Sequence, residues 1–326
     1  ISVILMKKII LSTAVSVFAA AVAIPLSVNT AFYFSSKNTM PFINLGETVH
    51  EDNIEIQPDT STEIAEEKSM PEEEYIVGVV AAEMPASFET EALKAQAVAA
   101  RTYAVNSGLS TEELIKSNGQ AYCTVEEMKK KWGSGFNTYY SKIKNAVYAT
   151  KGEIAVYNDE PILAVFHAIS SGKTEEAQNV WSKELPYLKS VDSSGDETSS
   201  EYYSEKEIPS KTAAALLQEK YPYIKLSEAN IADQMQILER TKAGYISKIQ
   251  VGNMVLTGKQ VREALSLRSS CFTFSSDGDN IIFKTKGYGH GAGMSQYGAN
   301  YMAKQGKTYK EILTYYYSGT SLKKYY

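Results

Sequence analysis

A long uncharged stretch lies near the start of the sequence, and it determines the compartment in which the rest of the chain must fold. Lys7 and Lys8 precede a stretch without charge from Ile9 to Ser36, whose apolar centre ends at Val28. About 20 apolar residues are enough for a helix to cross a bilayer. Two interpretations remain open, a retained anchor with its positive charges inside or a cleaved signal peptide with small residues over 19–23. Both predict that everything after this segment is exported.

Apolar character that continues through residues 31–34 favours the anchor over the signal peptide. Residues 1–34 are therefore predicted to form a cytoplasmic end and a single transmembrane helix. Over residues 35–70 the only basic residues are Lys37 and Lys68, while acidic and small polar residues are frequent. Such a composition predicts a solvated, flexible linker. We expect one folded domain over residues 71–326.

Composition excludes some classes of protein and some kinds of site. A net charge of −5 and a pI near 5.5 argue against a nucleic-acid-binding protein, which normally carries a basic stripe. Cys123 and Cys271 are the only cysteines, and no Cys/His spacing typical of zinc is present. The two could pair in an exported protein, but buried free thiols are the favoured interpretation. We predict no cofactor and no metal.

Helical and strand-like segments are mixed without a βαβ rhythm, which predicts an α+β fold of helices and antiparallel strands around a substrate cleft. Pro71, followed by three glutamates, is typical of a helix start, and Pro85 predicts its end. A stripe of small residues predicts a second helix over Glu89–Val105. Further strands are predicted over 153–157, 162–169, 246–251, 271–274 and 281–284, helices over 212–221, 258–265 and 310–317, and a polar surface loop over 193–205.

Glu83 is the sharpest candidate for chemistry. It lies near the end of the first predicted helix, directly after four apolar residues at 79–82. The negative end of the helix dipole and apolar surroundings both disfavour a charge there, so both would raise the pKa of the carboxyl. A carboxyl that stays protonated near neutral pH is what a general acid needs. The competing interpretation is an ordinary exposed glutamate.

Arg101, on the second predicted helix, is the candidate neighbour of Glu83. An arginine there could steer an anionic or hydroxyl-rich substrate, or stabilise Glu83 once that carboxyl is ionised. Direct contact would lower the pKa of Glu83 and work against an acid role. We therefore expect Arg101 in the cleft without a tight pair, and the alternative is a surface salt bridge.

A glycine-rich run from Gly287 to Gly298 is the second candidate segment. Its alternating glycines permit close backbone approach to a ligand, and they bring together His290, Ser295, Gln296 and Tyr297. A phosphate loop is excluded because no Gly-Lys-Ser/Thr follows. The structural alternative is a tight turn into a helix that starts near Ser295.

The third segment, residues 166–174, reads as a strand that ends in a polar turn, a common place for binding residues. No serine nucleophile motif is present, and a simple turn is the alternative. The candidates for substrate binding are His167, Ser170, Ser171, Lys173 and Thr174.

These segments, taken together and in order, resemble the SpoIID/LytB family of stage II sporulation proteins. The resemblance covers most of residues 71–320, which makes it far more specific than any single motif. The matching segments are 73–85, 91–104, 120–122, 166–167, 171–174, 256–258, 261–262, 267–269, 287–298 and 312–320.

The resemblance implies a lytic transglycosylase that acts on the glycan strands of peptidoglycan. It assigns the catalytic acid/base to Glu83 and the downstream arginine to Arg101, and it adds Gln120 and Tyr122 to the substrate-binding candidates. The implied mechanism uses one carboxyl, which protonates the MurNAc–GlcNAc bond and then deprotonates the MurNAc 6-hydroxyl to close a 1,6-anhydro ring. Hydrolytic glycosidases usually need two carboxyls, and the sequence offers no second one with equal credentials.

The resemblance also implies a setting, the engulfment of the forespore. Family members act on strands stripped of stem peptides by a partner amidase, alongside a multi-pass membrane protein of the same complex. A single-pass protein of the mother-cell membrane, with its domain facing the space between the membranes, is therefore expected. Some relatives bind zinc through extra Cys and His residues, but segment 117–123 has one Cys and no His. A glycan-binding protein that activates an amidase remains the alternative.

Overall fold

The computed structural model describes residues 72–117 and 119–325. These residues form helices and mostly antiparallel strands, so the predicted α+β class is confirmed. The predicted anchor over residues 1–34 and the predicted linker over 35–70 lie outside the described residues. Among the helices of residues 72–117 and 119–325, none combines the length and the apolar character that a membrane-spanning segment requires.

Ten helices and eleven strands make up the described part of the chain. The helices are α1 (Glu73–Glu83), α2 (Thr90–Ser107), α3 (Thr111–Ser117), α4 (Val125–Trp132), α5 (Phe136–Ala149), α6 (Ala177–Trp181), α7 (Ser210–Lys220), α8 (Gly258–Ala264), α9 (Gln296–Lys304) and α10 (Tyr309–Tyr316). The strands are β1 (Glu153–Tyr157), β2 (Glu160–Pro161), β3 (Phe166–His167), β4 (Tyr203–Pro209), β5 (Met235–Arg240), β6 (Ile246–Val251), β7 (Met254–Leu256), β8 (Phe272–Ser276), β9 (Asn280–Lys286), β10 (Met294–Ser295) and β11 (Ser321–Lys324).

We call residues 72–202 and 287–325 the helical body. Its core is built on α1 and α2, which are buried on nearly every face. A helix that is apolar all round can only be stable inside a core, and here α5, α9 and α10 cover this pair. The small residues predicted to form a stripe on the second helix are fully buried, as close packing requires.

We call residues 203–286 the β lobe. It holds two three-stranded antiparallel sheets, in the orders β4-β9-β8 and β5-β6-β7, with α7 and α8 packed against them. Phe272, Phe283, Ile249 and Leu217 belong to its hydrophobic core, which is separate from that of the helical body. Two separate cores leave room for a groove where the two parts face each other.

A short parallel pair, β3 with β10, joins two of the candidate segments. Phe166 pairs with Met294, which lays the glycine-rich run along the segment that carries His167. Gly293 has a φ of +73°, and a Cβ at this position would lie 2.1 Å from the Val165 carbonyl oxygen. Only glycine permits this close approach.

Most predicted elements are confirmed within one to three residues, among them α1, α2, β1, β6 and α8. Two predictions are wrong. Only Phe166–His167 of the predicted strand over 162–169 forms a strand, and the predicted surface loop over 193–205 contains a 3₁₀ helix at Ser194–Thr198 and the fully buried Asp196. Asp196 is buried because a set of serine donors satisfies its carboxylate, which composition alone does not reveal.

Candidate active site

A cleft of about 910 Å³ lies between the helical body and the β lobe. Its walls mix aromatic rings, hydroxyls, amides and charged groups, a composition suited to a polyhydroxylated ligand with apolar ring faces. The helical body lines it with Glu83, Tyr103, Gln120, Phe166, Glu175, Asn179, Trp181 and His290, and the β lobe with Lys220, Tyr221, Thr241, Tyr245, Ser247, Thr257, Lys259, Gln260, Arg262 and Glu263.

Glu83 combines deep burial with a place on the cleft wall. Its side chain is 2% exposed, and its Oε1 accepts one hydrogen bond of 2.9 Å from the Ala121 backbone N–H. Its Oε2 has no hydrogen-bond partner among the described residues. Burial raises the pKa of Glu83 to about 8, against the smaller lowering effects of the Ala121 N–H and the Lys131 charge. The carboxyl is therefore protonated at neutral pH, as the sequence predicted.

Two local features place Glu83 there. Helix α1 ends at this residue because Met84 is extended and Pro85 cannot continue the helix, although the Met84 N–H still bonds Val80. A Cβ on Gly78 would lie 2.2 Å from the Tyr122 ring, so only glycine lets the 119–123 segment pass so close to α1. That passage brings the Ala121 N–H to the carboxyl of Glu83.

Gln120 and Tyr122, which the resemblance adds as substrate-binding candidates, occupy different places. Gln120 lines the cleft, accepts from the Tyr75 hydroxyl at 3.2 Å and donates to the Ala100 carbonyl at 3.3 Å. Tyr122 does not line the cleft and stacks on Tyr75 with ring centroids 5.7 Å apart. Tyr75 therefore supports both of them from behind the cleft wall.

Arg101 does not lie in the cleft, so this prediction is corrected. It is completely buried in the helical body and forms a bidentate pair with Glu73, with distances of 2.6 and 3.1 Å. It also donates to the Glu153 carbonyl at 3.0 Å and the Val147 carbonyl at 3.3 Å. A guanidinium buried this deeply needs a carboxylate partner, and Glu73 on α1 is that partner. Arg101 thus ties α2 to α1 and β1 as a structural residue.

His290 lines the cleft as a neutral ring. Its Nδ1 accepts from the Ala292 N–H at 3.1 Å, and a second hydrogen bond joins the ring to the Phe166 backbone. Burial first, and then the neighbouring His167 and Arg262 side chains, hold the pKa of His290 well below its ordinary value. Its ring lies 5.1 Å from that of Trp181. The two rings form one aromatic part of the cleft.

His167 is a buried residue behind the cleft. It is 1% exposed, and its Nδ1 bonds the Ala292 carbonyl at 3.0 Å. Burial lowers the pKa of His167 to about 4, so this ring too is neutral. Its ring lies 5.7 Å from that of His290. The prediction that His167 binds substrate is therefore corrected. Its ring lies behind the cleft wall and supports the segment that carries His290.

Ser170 and Ser295, predicted as substrate-binding residues, bond the fully buried Asp196. The Ser170 hydroxyl and N–H reach this carboxylate at 2.6 and 2.9 Å, and the Ser295 hydroxyl at 2.7 Å. The Ser193 hydroxyl adds a further bond of 3.0 Å. Burial raises the pKa of Asp196 to about 6, while these donors act in the opposite direction. Ser295 is also the N-cap of α9, the structural alternative weighed for this segment.

The other predicted substrate-binding residues also lie away from the cleft. The Ser171 hydroxyl bonds the Ala243 carbonyl in the β lobe, and Thr174 is fully buried against the 189–191 segment. Lys173 is exposed, and the fully buried Gln296 bonds Gln96. Tyr297 packs edge-on against Phe88 with centroids 4.9 Å apart. Apart from the exposed Lys173, hydrogen bonds or packing within the protein hold these residues, which therefore build the folded frame of the cleft.

Sequence reasoning missed Glu175, which directly follows the predicted turn and lines the cleft at 3% exposure. Its Oε1 accepts from the Glu176 N–H and from Asn179, and its Oε2 accepts from the Thr241 hydroxyl of the β lobe. Trp181 and Tyr103 were also missed. Trp181 is one of only two tryptophans in the chain, and this was the signal that could have indicated a ring-binding wall.

Neither a metal cluster nor a disulfide is found within residues 72–117 and 119–325. No group of three or more His, Cys, Asp or Glu side chains in these ranges is arranged to hold a metal ion. Cys123 and Cys271 are both buried and unpaired, which confirms the free-thiol interpretation.

Known proteins are similar to this chain over most of its length. The family model SpoIID, described as Stage II sporulation protein, matches residues 60–157, and a second, described as Domain of unknown function (DUF8618), matches residues 188–293. The chain is 41% identical to Stage II sporulation protein D of Bacillus subtilis (strain 168) and 39% to that of Bacillus amyloliquefaciens, covering in each case 78% of this chain and 75% of the relative. It is 30% identical to the Amidase enhancer of Bacillus subtilis, covering 76% of this chain and 40% of that protein.

Proposed function

The chain belongs to the SpoIID family of stage II sporulation proteins, and on that premise we propose that it is a peptidoglycan lytic transglycosylase with Glu83 as its acid/base. One observation carries the proposal. Glu83 is buried at the wall of a cleft lined by aromatic and polar groups, where burial raises its pKa to about 8 and its Oε2 has no hydrogen-bond partner among the described residues. An acid must have a proton to give and an unoccupied direction in which to give it.

The reaction proceeds in two proton transfers through the same carboxyl. Glu83 gives its proton to the glycosidic oxygen between MurNAc and GlcNAc, the C1–O bond breaks, and GlcNAc leaves with a free hydroxyl. The Glu83 carboxylate then takes the proton of the MurNAc 6-hydroxyl while O6 bonds C1 and closes the anhydro ring. Glu83 ends protonated, and no water is consumed. A raised pKa supports the first transfer and makes the carboxylate a stronger base for the second.

The other carboxylates of the cleft are committed to partners, which supports a single-carboxyl mechanism. Both oxygens of Glu175 accept hydrogen bonds from protein groups. Glu263 forms an ion pair of 3.2 Å with Lys220. A hydrolase with two carboxyls needs the second one available for water or for attack on the sugar.

We propose the setting on the same premise, since the named relatives are sporulation proteins. Residues 1–34 anchor the chain in the mother-cell membrane, residues 35–70 are a linker, and residues 71–326 form the catalytic domain outside the cytoplasm. The substrate is a glycan strand whose stem peptides an amidase has removed. That amidase and a multi-pass membrane protein of the same complex are its partners.

A second candidate function is a glycan-binding protein that activates a cell-wall amidase without cleaving glycan. The relative named Amidase enhancer favours this alternative. The same cleft would then hold a strand, and the buried Glu83 would act only as a hydrogen-bond donor to it.

Product analysis distinguishes the two functions. Stripped glycan strands are incubated with the full chain, and the products are identified by mass spectrometry. The proposal expects 1,6-anhydro-MurNAc ends, lighter by one water than reducing ends. Reducing ends would mean a hydrolase, and the absence of products together with a faster partner amidase would mean the activator.

A further inference from the structure

Helix α8 of the β lobe presents two cationic side chains to the cleft. Lys259 and Arg262 lie three residues apart on α8 and both line the cleft, so they occupy one face of the helix. Lys220 and Glu263 also line that wall and form an ion pair of 3.2 Å with each other. The whole chain carries a net charge of −5, so the two cations of α8 are a local arrangement and do not follow from overall composition.

The two cations act on the aromatic part of the cleft. After burial and His167, the positive charges of Arg262 and Lys259 are among the causes that keep the pKa of His290 low. The ring of His290 is neutral, so it adds no charge of its own. The ring of Trp181 lies 5.1 Å from that of His290. Lys259 and Arg262 are therefore within electrostatic reach of a ligand seated on these two rings.

The position of α8 is fixed without a ligand. Thr257 and Gln260 form a capping box at its start, with bonds of 3.1 and 2.8 Å. A Cβ on Gly258 would lie 2.5 Å from the Ile246 carbonyl oxygen, so glycine there lets α8 pack tightly on β6. Arg262 is 6% exposed, and its Nε donates to the Arg268 carbonyl at 3.3 Å. Such a preorganised guanidinium loses little freedom on binding a carboxylate.

The proposed substrate carries a matching anion only in its stripped form. The lactyl group of MurNAc ends in an amide while the stem peptide is attached, and in a free carboxylate once an amidase has removed that peptide. We propose that Lys259 and Arg262 form an anion subsite that binds this lactyl carboxylate. The inference rests on the proposed function, and it identifies the residues by which the cleft distinguishes stripped strands from peptide-bearing ones.

Binding in a non-cleaving background tests the subsite separately from catalysis. The full chain with Glu83→Gln is titrated with fluorescent glycan strands in three forms: stripped, stripped with every lactyl carboxylate amidated by methylamine, and peptide-bearing. We expect the stripped strand to bind about tenfold more tightly than the amidated one, the loss typical of one charge-assisted contact. The peptide-bearing strand has carboxylates elsewhere but none on the lactyl group, and it should bind as weakly as the amidated strand.

Adding Lys259→Gln should remove most of this preference, weakening the stripped strand about tenfold and leaving the amidated one nearly unchanged. Lys211→Gln is the matched control, because Lys211 is an exposed lysine of the same lobe. This variant should bind both the stripped and the amidated strand as tightly as its parent. Equal affinity for stripped and amidated strands, or an equal loss of affinity for both strands in Lys259→Gln, would contradict the anion subsite and leave the proposed function standing. A failure to bind any strand would contradict the proposed function itself.

Discussion

Glu83 and Asp196 are both buried carboxyls whose pKa is raised by burial, to about 8 and about 6, yet their surroundings differ. Asp196 accepts four hydrogen bonds from three serines, Ser170, Ser193 and Ser295, and does not line the cleft. Glu83 accepts one bond, from a backbone N–H, and lines the cleft. Burial alone therefore does not separate a reacting carboxyl from a structural one.

What separates the two carboxyls is the number of their oxygens that already accept a hydrogen bond from the protein. A buried carboxylate surrounded by donors stabilises the fold and has no capacity left for a substrate. A buried carboxyl with an unpartnered oxygen costs stability that the fold must offset, a cost typical of functional sites. The buried Arg101–Glu73 pair belongs with Asp196 in this comparison, because each of its charges already has its partner.

The largest effect is expected from removing the ionisable group of Glu83. Glu83→Gln keeps the shape of the side chain but cannot transfer a proton, so cleavage of stripped strands should fall by about 10²–10⁴-fold. Strand binding should stay within about twofold of the wild type. Glu112→Gln, at an exposed glutamate on α3, is the control and should cleave normally. Normal cleavage by Glu83→Gln would place the acid elsewhere.

Breaking the buried pair should mainly affect stability. Arg101→Met leaves Glu73 buried without its partner, which should lower the free energy of unfolding by about 3–5 kcal/mol. Urea unfolding measures this loss, and strand affinity of the folded fraction should be unchanged. A selective loss of strand affinity with normal stability would restore the cleft position first expected for Arg101.

Removing the acceptor at the serine cluster should have a somewhat smaller effect. Asp196→Asn replaces one accepting oxygen by a donor and leaves buried serine donors unsatisfied, so we expect a loss of about 2–3 kcal/mol in the free energy of unfolding. Asp192→Asn, at an exposed aspartate nearby, should change it by less than about 0.5 kcal/mol. Equal losses of stability in Asp196→Asn and Asp192→Asn would mean that the serine donors around Asp196 do not stabilise the fold.

Glu83→Gln should also stabilise the fold, which is the smallest effect. The unfolded chain releases the Glu83 proton above its ordinary pKa of 4.5, whereas the folded chain holds it up to about 8. Wild-type stability therefore falls as pH rises between these values. The variant lacks this loss and should be more stable by about 1–3 kcal/mol near pH 7, with the difference vanishing near pH 4. A constant difference at all pH values would point to packing as its cause.

Patterns along the chain predicted most of the elements and two residues of the cleft wall, Glu83 and His290. Helix α1, its end at Pro85 and the raised pKa of Glu83 follow from local sequence, since caps, proline and apolar neighbours act within a few residues. The glycine-rich run was predicted to let the backbone approach a ligand closely, whereas the close approach seen at Gly293 is to the Val165 backbone. His290 was the one further candidate of that run on the cleft wall.

What sequence could not predict depends on contacts between distant residues. The resemblance marks Arg101, Ser171 and Ser295 as recognisable positions, but whether such a residue faces a ligand or a buried partner is decided by tertiary packing. The β-lobe side of the cleft, including Lys259 and Arg262, is brought to Glu83 only by the fold. Sequence motifs therefore pointed to the candidate site. The structure was needed to distinguish the residues that line the cleft from those that are buried behind it.

The protonation of Glu83 can be measured directly by titrating the side-chain carboxyl ¹³C resonances of the glutamate-labelled chain by NMR. The signal that is lost in Glu83→Gln identifies the residue. The raised pKa caused by burial predicts a midpoint near 8, so that the carboxyl is protonated at neutral pH. A midpoint near the ordinary value of 4.5 would mean an ionised carboxylate at neutral pH and would contradict an acid role for Glu83.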